Sequence, residues 1–338
     1  MSSKEKKVGV DIIGFGPIGR DLAKKLCTIE RYSIASISDS SLTVYPKDSS
    51  QVERAIEWKS EGRKFSELKE LKQSRARETL QGLEYSGASV AVDVTNSDYA
   101  KPEEAKKRAL LALGSGKHYV SANKVALSNY FGEIFDTAKK KNLKVGYGAT
   151  VLGARHAIRI AQSLERGEVQ SASAVLNAST TFILSKLEEN VSMSFEEACN
   201  EASKTGILER DWGIDLDGVD AAAKTAILSN VLVPERRLAI REVKRRGIRD
   251  TEARKLIESM KGSHESRIRL VSEIDQKGNA SVEPKAMPLD SPLAVQGRYN
   301  VVMLVTTNLG DISVRNLGGG VSLTSSVLLS DIKEIVEH

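Results

Sequence analysis

Three glycines and an acid set the first chemical expectation. Gly14-x-Gly16-x-x-Gly19 follows the apolar run Val8–Ile13 and opens a helical pattern. The first glycine of such a loop permits a tight turn, the second lets backbone approach a pyrophosphate, and the third lets helix and sheet pack closely; the helix N-terminus then faces the anion. Asp39 stands 20 residues after Gly19, at the end of a second strand-like run, Tyr32–Ser38. A carboxylate there accepts hydrogen bonds from an adenosine ribose. Strand, glycines, helix and acid together point to a bound dinucleotide, and so to hydride transfer. The carboxylate repels a 2′-phosphate and favours NAD over NADP. Lys47, Arg63 and Lys64 offset that repulsion, so the choice between NAD and NADP stays open.

A second set of residues suits proton transfer. Asp220 and Lys224 lie at i and i+4 in a helical pattern, hence on one helix face. Such pairs are common on surfaces and worth little there. Here the flanking residues are apolar (Val219, Ala221, Ala222, Ala223, Ile227, Leu228), which predicts partial burial. A buried lysine near another cation has a lowered pKa and serves as a general base, the group needed to take a hydroxyl proton as hydride leaves an alcohol carbon. Lys124 ends a short strand segment at the carboxyl edge of the first sheet, where α/β sheets bind ligands, although a lone lysine there is often only solvated. Thr95 and Asn96 follow the third apolar strand and are placed to line the nicotinamide ribose. His118 precedes a strand and reads as structural; His156, His264 and His338 lack metal-ligand spacing, and no zinc is expected.

The elements that must position these groups alternate. Strands are predicted at Val8–Ile13, Tyr32–Ser38, Ser89–Val94, His118–Ser121 and Lys144–Gly146, with helical patterns at Arg20–Ile29, Gln51–Leu68, Pro102–Gly114 and Asn129–Lys141. That alternation implies an α/β fold with a Rossmann-like parallel sheet and crossover helices. After about Gly146 the rhythm changes. Ser171–Leu184 reads as a long strand leading into a helix, Phe195–Thr205 and Asp220–Leu232 as helices, Asn300–Thr307 as a strand, Gly318–Gly320 as a turn and Thr324–Val336 as a final helix. These fit a second, α+β domain with helices on one side of a sheet. The predicted organisation is residues 1–146 for the dinucleotide, 147–300 for dimerisation and catalysis, and 301–338 returning to the first domain. The small and β-branched residues of Ser171–Leu184 suit pairing with a partner sheet and predict a homodimer.

Bulk properties exclude several classes. With 338 residues the chain is long enough for two domains. No apolar run approaches the ~18 residues that span a membrane, and no apolar segment of the signal-peptide kind precedes Val8, so neither membrane nor secretion is expected. Two cysteines, Cys27 and Cys199, suit a reducing, cytoplasmic setting. The Asn-x-Ser matches at Asn177, Asn190 and Asn279 are then chance. The net charge of +5 attracts anions. Its densest stretch, Arg236–Arg254, is interspersed with acids and lacks aromatic residues; it reads as a solvated helix face, and no nucleic-acid partner is expected.

Several further segments, in order, resemble homoserine dehydrogenase: Ile37-Ser-Asp-Ser-Ser41, Val92-Asp-Val-Thr-Asn96, Val120-Ser-Ala-Asn-Lys124, Val175–Leu184, Asp215-Leu-Asp-Gly-Val-Asp-Ala-Ala-Ala-Lys224, and Gly318–Gly320 followed by Thr324-Ser-Ser and Asp331. The resemblance spans nearly the whole chain, in a short form without a C-terminal regulatory domain. It implies reversible NAD(P)-dependent interconversion of L-homoserine and L-aspartate 4-semialdehyde, on the way to threonine and methionine. It further implies Lys224 as proton acceptor, Asp220 as its orienting partner and Lys124 as a second catalytic lysine. Glu209 would pair with the substrate ammonium, with Asp215 and Ser179 beside it. The coenzyme would be held by Gly14, Phe15, Gly16, Pro17, Ile18, Gly19, Asp39, Ser40, Thr95, Asn96, Ser121, Asn123, Lys124 and Gly320.

The chain departs from the family pattern on the substrate side. Gly148 stands where relatives often carry glutamate in a loop that binds a monovalent cation; no metal site is assigned, the remaining sodium ligands being the backbone of Val151 and Gly153. Leu152-Gly-Ala-Arg-His156 replaces a glycine-rich turn ending in proline, which predicts a different loop shape. Ala178 replaces a glycine, adding a methyl near the expected substrate, and Thr181 replaces an asparagine. These changes fit a divergent homoserine dehydrogenase. They also fit a dehydrogenase for another small hydroxy- or oxo-amino acid, or a catalytically weak NAD(P)-binding regulatory dimer.

Overall fold

The computed structural model describes residues 7–68, 82–208 and 212–337. The chain divides into two compact units, one running to Thr150 and resuming at Gly320, the other comprising Val151–Gly319. The break thus falls just beyond Gly146–Ala149. The return to the first unit begins at Gly320 rather than residue 301, because residues 301–317 complete strands of the second sheet.

The first unit contains β1 (Val8–Ile13), α1 (Pro17–Cys27), β2 (Tyr32–Ser38), β3 (Thr43–Val44), α2 (Ser49–Ser60), α3 (Gly82–Tyr85), β4 (Val90–Asp93), α4 (Pro102–Gly114), β5 (His118–Ser121), α5 (Lys124–Lys140) and β6 (Val145–Gly146). Its sheet has the order β3-β2-β1-β4-β5-β6. All pairings are parallel except β2 with β3. The chain order reverses beside β1, so the carboxyl ends of β1, β2 and β4 frame the crevice where such sheets bind ligands. The strands are buried on both faces, as near-continuous apolar runs require, and Val10, Ile12, Val90, Val92 and Val120 join one core with Leu22 and Leu26 of α1. α1 starts with Pro17 in its first turn and ends with Lys24 and Lys25, matching the helix dipole. The polar segment expected to be one helix over Gln51–Leu68 is a helix only to Ser60; Gly62 takes φ +79° and a short 3-10 turn follows at Phe65–Glu67.

The C-terminal helix, Val321–Glu337, completes this core with Leu328, Ile332 and Ile335. Its first turns are bound by Lys25, whose ammonium donates to the Ser322 carbonyl at 2.7 Å and to the Ser325 and Ser326 hydroxyls at 2.6 and 2.8 Å. Farther along, Asp331 accepts from the Gly148 amide at 2.8 Å.

The second unit contains α6 (Arg155–Ser163), β7 (Val169–Val175), α7 (Ala178–Glu189), α8 (Phe195–Lys204), α9 (Trp212–Leu216), α10 (Val219–Leu232), β8 (Lys244–Arg245), α11 (Thr251–Ser259), β9 (Ser266–Ile274), β10 (Ala280–Pro288), β11 (Tyr299–Thr306) and β12 (Ile312–Leu317). The sheet order is β12-β11-β7-β9-β10-β8. Its pairs are antiparallel apart from β10 with β8. α7 and α10 pack against it. α10 is apolar nearly all round and correspondingly buried. Val175, Val271, Leu293, Val295 and Val301 form a separate apolar cluster, flanked by the half-buried Met287, Tyr299 and Met303. The basic stretch Arg236–Arg254 is not one solvated helix: it runs through a 3-10 turn, the edge strand β8 and the start of α11. Among the described residues no helix is long and apolar enough to cross a membrane.

Candidate active site

The glycine loop is built by contacts that exclude side chains. Gly14 leaves β1 at φ +95°, and a Cβ on it would lie 2.9 Å from the Thr95 amide nitrogen. A Cβ on Gly19 would collide with the Gly14 carbonyl oxygen. A Cβ on Gly16 meets no protein atom within 4 Å. The protein's own packing therefore demands Gly14 and Gly19, whereas Gly16 keeps open the mouth of a cleft. That cleft, of about 660 Å³, is bounded by Gly14–Gly16, Ser38–Ser40 and Val94–Asn96, with Arg20, Lys59, Lys107 and Arg108 bringing positive charge against Asp39 and Glu104. Gly16 is the N-cap of α1 and places no side-chain cap over the first turn. A phosphate-bearing dinucleotide fits this donor set and charge balance. Phe15 contributes only backbone: its ring is buried in the core, 5.7 Å from Phe65. Ile18 likewise packs on the core, and Pro17 is exposed.

Asp39 is more committed than its position in the sequence indicates. It is only 7% exposed. One carboxylate oxygen accepts from the amides of Ser41 and Leu42 and the Ser41 hydroxyl, at 2.7, 3.0 and 2.6 Å. The other accepts from Lys59 Nζ at 2.7 Å and the Phe65 amide at 3.0 Å. Burial alone would raise its pKa, but the Lys59, Ser41 and Phe65 hydrogen bonds win and hold it at about 2. A carboxylate has about four lone-pair positions, and five donors already surround this one. In this structure the carboxylate lines the cleft and is also an ion-paired anchor for its wall. Ser40, beside it, is exposed at the cleft. Lys59 carried no local sequence signal, lying 20 residues from Asp39.

The other side of the cleft hangs on Asp93, which is fully buried at the end of β4. It accepts from the Thr95 amide and hydroxyl at 3.0 and 2.6 Å, from Arg108 Nε at 3.0 Å and from the Tyr119 hydroxyl at 3.1 Å. Asn123 donates to the Thr95 hydroxyl at 2.9 Å and the Asn96 carbonyl at 3.0 Å, and its amide oxygen caps α5 at Val125. Ser121 bonds the Asn123 backbone. Ser121 and Asn123 therefore hold the loop in shape through their own polar atoms. Lys124 does not end a strand; it is the first residue of α5, half-buried, its amide bonded to Ser97. Gly320 is exposed just before the C-terminal helix, its carbonyl accepting from Thr324.

In the second unit a polar cluster gathers where β7 passes into α7. Lys224 Nζ donates to Asp220 Oδ2 at 2.7 Å and to the Leu176 carbonyl at 2.8 Å. Asn177, 2% exposed, donates from one amide nitrogen to Asp215 at 2.6 Å and to Asp220 at 3.0 Å. Its amide oxygen caps α7 at Thr180. The predicted i, i+4 pair is thus real and largely buried. Lys224's partners here are a carboxylate and a carbonyl. Asp215 is pushed above the ordinary carboxylate range, first by burial and then by the negative charge of Asp220. Ser179 donates to the Ile207 carbonyl at 2.9 Å. Glu209 lies outside the described residues.

The loop departures have packing consequences. The Ala178 methyl faces Gly318, where a Cβ would overlap it, so Gly318 makes room for the residue that replaced glycine. Thr181 is buried and turns its hydroxyl back to the Asn177 carbonyl at 2.9 Å. Leu152 is not among the positive-φ residues, so it fits its turn unstrained. Gly153 packs tightly on Asn300, and the Val151 carbonyl accepts from the Ala154 amide at 2.6 Å. Among the described residues no cluster of three or more His, Cys, Asp or Glu side chains could hold a metal.

This geometry has relatives. The sequence model of a family described as homoserine dehydrogenase matches residues 157–332. The homoserine dehydrogenase of Methanocaldococcus jannaschii is 33% identical over 333 residues, covering 96% of this chain and 97% of that protein. The chain belongs to the homoserine dehydrogenase family. An NAD(+)-dependent homoserine dehydrogenase of Pseudomonas canavaninivorans is 30% identical over 256 residues, 74% of this chain and 71% of that protein. Among solved structures, a hyperthermophilic archaeal homoserine dehydrogenase in complex with NADPH superposes with a TM-score of 0.83 at 31% identity, covering 98% of each chain. Family membership makes the protein an NAD(P)-dependent oxidoreductase.

Proposed function

We propose that the protein interconverts L-homoserine and L-aspartate 4-semialdehyde with NAD or NADP, in the branch of metabolism leading to threonine and methionine. The observation that carries this reading is the buried Lys224–Asp220–Asn177–Asp215 cluster in a chain of this family. The bound coenzyme supplies hydride exchange at its nicotinamide ring; Gly14–Gly19, Ser40, Thr95 and Asn96 are the residues assigned to hold it. Lys224 manages the proton. In the reductive direction its ammonium donates to the aldehyde oxygen as the carbonyl becomes an alcohol. In the oxidative direction the neutral amine takes the hydroxyl proton. Asp220 and the Leu176 carbonyl fix the amine in place. Asp215, crowded by Asp220, suits the α-ammonium of an amino-acid substrate, since a cation there relieves both desolvation and repulsion. Glu209 is the family-based second acid for that ammonium, and Lys124 the second lysine assigned to the reaction.

The Asp39–Lys59 pair bears on coenzyme choice. A carboxylate already neutralised by a lysine repels a 2′-phosphate less than a free one, which supports use of both coenzymes. A homodimer is the proposed assembly, and Met287, Tyr299 and Met303, half-buried beside the second sheet's apolar cluster, are surface a partner would cover. A cytoplasmic setting is the proposed one, supported by the two unpaired cysteines. Purified protein assayed against a panel of amino alcohols and hydroxy acids, with each coenzyme, tests the substrate. Homoserine should be turned over best; a tenfold preference for another alcohol would replace this reading by that of a dehydrogenase for another small hydroxy-amino acid.

A further inference from the structure

Asn177 does two jobs with one side chain, and only one of them is needed to start a helix. Its oxygen caps α7 by accepting from the Thr180 amide at 2.8 Å. Ser, Asp and Asn perform that task about equally well. Its nitrogen carries two hydrogens. The two contacts it makes, to Asp215 Oδ1 at 2.6 Å and Asp220 Oδ2 at 3.0 Å, use both. Asp220 Oδ2 is also the atom that receives Lys224 Nζ at 2.7 Å, and the carbonyl preceding Asn177, that of Leu176, receives the same ammonium at 2.8 Å. Residues 176 and 177 are thus bonded to all three ionisable groups of the cluster. A serine would cap the helix and reach neither carboxylate. An aspartate would cap it and add a third negative oxygen between two others.

We infer that Asn177 is a positioning residue for the proton-transfer step, its amide nitrogen clamping Asp215 and Asp220 so that Asp220 holds Lys224 in line with the reacting oxygen. This rests on the assignment of Lys224 as the proton-handling group. The clamp acts on geometry: a catalytic group displaced by about 1 Å can cost on the order of 10²-fold in rate. Without the amide donors, the two carboxylates repel and Asp220 loses the hydrogen bond from Asn177 that helps fix it against Lys224. A merely structural role predicts something else. If Asn177 were only a cap, Asn177→Asp would behave as wild type, and a partly unfolded variant would lose turnover in proportion to its unfolded fraction without any change in the nature of the slow step.

The test uses the full-length protein and three variants, Asn177→Asp, Asn177→Ser and Lys224→Ala, with homoserine deuterated or not at its hydroxyl-bearing carbon. Thermal unfolding and NADH fluorescence titration report folding and coenzyme affinity. The expected result is a fall in kcat of roughly 10²-fold for Asn177→Asp, with NADH affinity within about twofold of wild type. The deuterium effect on kcat should rise as chemistry becomes the slow step. Asn177→Ser, which adds no charge, should show the same rise with a smaller fall, and it decides the matter if the aspartate variant does not fold. If wild type turns over homoserine, Lys224→Ala does not, and both Asn177 variants keep kcat within about threefold with an unchanged isotope effect, the clamp is refuted and the functional reading stands. If wild type does not turn over homoserine at all, the functional reading falls and this inference with it.

Discussion

Replacing Asp39 by asparagine keeps the shape of the side chain and removes the charge that Lys59 is bonded to. Asp39 titrates at about 2 in the folded protein against an ordinary 3.8. A carboxyl whose pKa is lowered on folding stabilises the folded state above its unfolded pKa, and that stability is lost as pH falls through the folded value. At about 1.36 kcal/mol per pH unit the displacement is worth about 2 kcal/mol at neutral pH. The carboxylate is nearly buried, so little of this is screened by solvent. The stability gap between wild type and Asp39→Asn in urea unfolding should therefore narrow by about 2 kcal/mol between pH 7 and pH 2, with roughly half of that change complete near pH 3. The same substitution frees Lys59 at the cleft and removes a negative charge from it, so the affinity for NADP should rise several-fold relative to NAD. A stability gap that is the same at pH 7 and pH 2, or a coenzyme ratio unaltered by the substitution, would refute the role given to this ion pair.

Other expectations follow from single contacts. Gly19→Ala places a methyl against the Gly14 carbonyl oxygen; it should destabilise the first unit by about 1–3 kcal/mol and weaken NADH binding, measured by thermal unfolding and fluorescence titration. Light scattering at micromolar concentration should give the mass of a dimer, and Met303→Glu, which puts a charge on the half-buried apolar surface, should shift that mass toward a monomer. Exchange of sodium for potassium or an organic cation should change homoserine turnover little, because Gly148 contributes no carboxylate; a saturable sodium requirement in steady-state assays would show that backbone carbonyls suffice.

The nucleotide-binding half was legible because its signals are local. Glycines whose Cβ would strike Gly14 or Thr95, and strands buried on both faces, leave a plain mark in sequence. The Asp220–Lys224 pair was legible for the same reason, being one helical turn apart. Groups assembled across long separations were not: Lys59 reaches Asp39, and Asn177 reaches Asp215 and Asp220, through the fold alone. Asn177 was visible as part of a motif without a role. In the second unit, β9 and β10 went unnoticed because charged residues interrupt them, Arg267, Arg269 and Glu273 in one and Glu283 and Lys285 in the other; Arg269 is nonetheless fully buried, paired with Glu188 at 2.6 Å. Likewise, α5 begins at Lys124, not Asn129, because Asn123 caps it; the helical pattern was obscured where the backbone bends, at Tyr130 (φ −131°).

If Lys224 moves the proton while the first unit holds the coenzyme, stopped-flow measurement of hydride transfer in Lys224→Ala separates the two roles. The glycine loop and Lys224 belong to different units, so NADH should bind the variant as it binds wild type. The rate of hydride transfer from homoserine should fall by about 10²–10⁴-fold, the usual contribution of a positioned acid or base. Lys224→Arg should not restore it, because a guanidinium stays protonated and cannot accept the hydroxyl proton. Normal coenzyme binding with near-normal hydride transfer in Lys224→Ala would show that Lys224 does not move the proton and pass the role of base to Lys124.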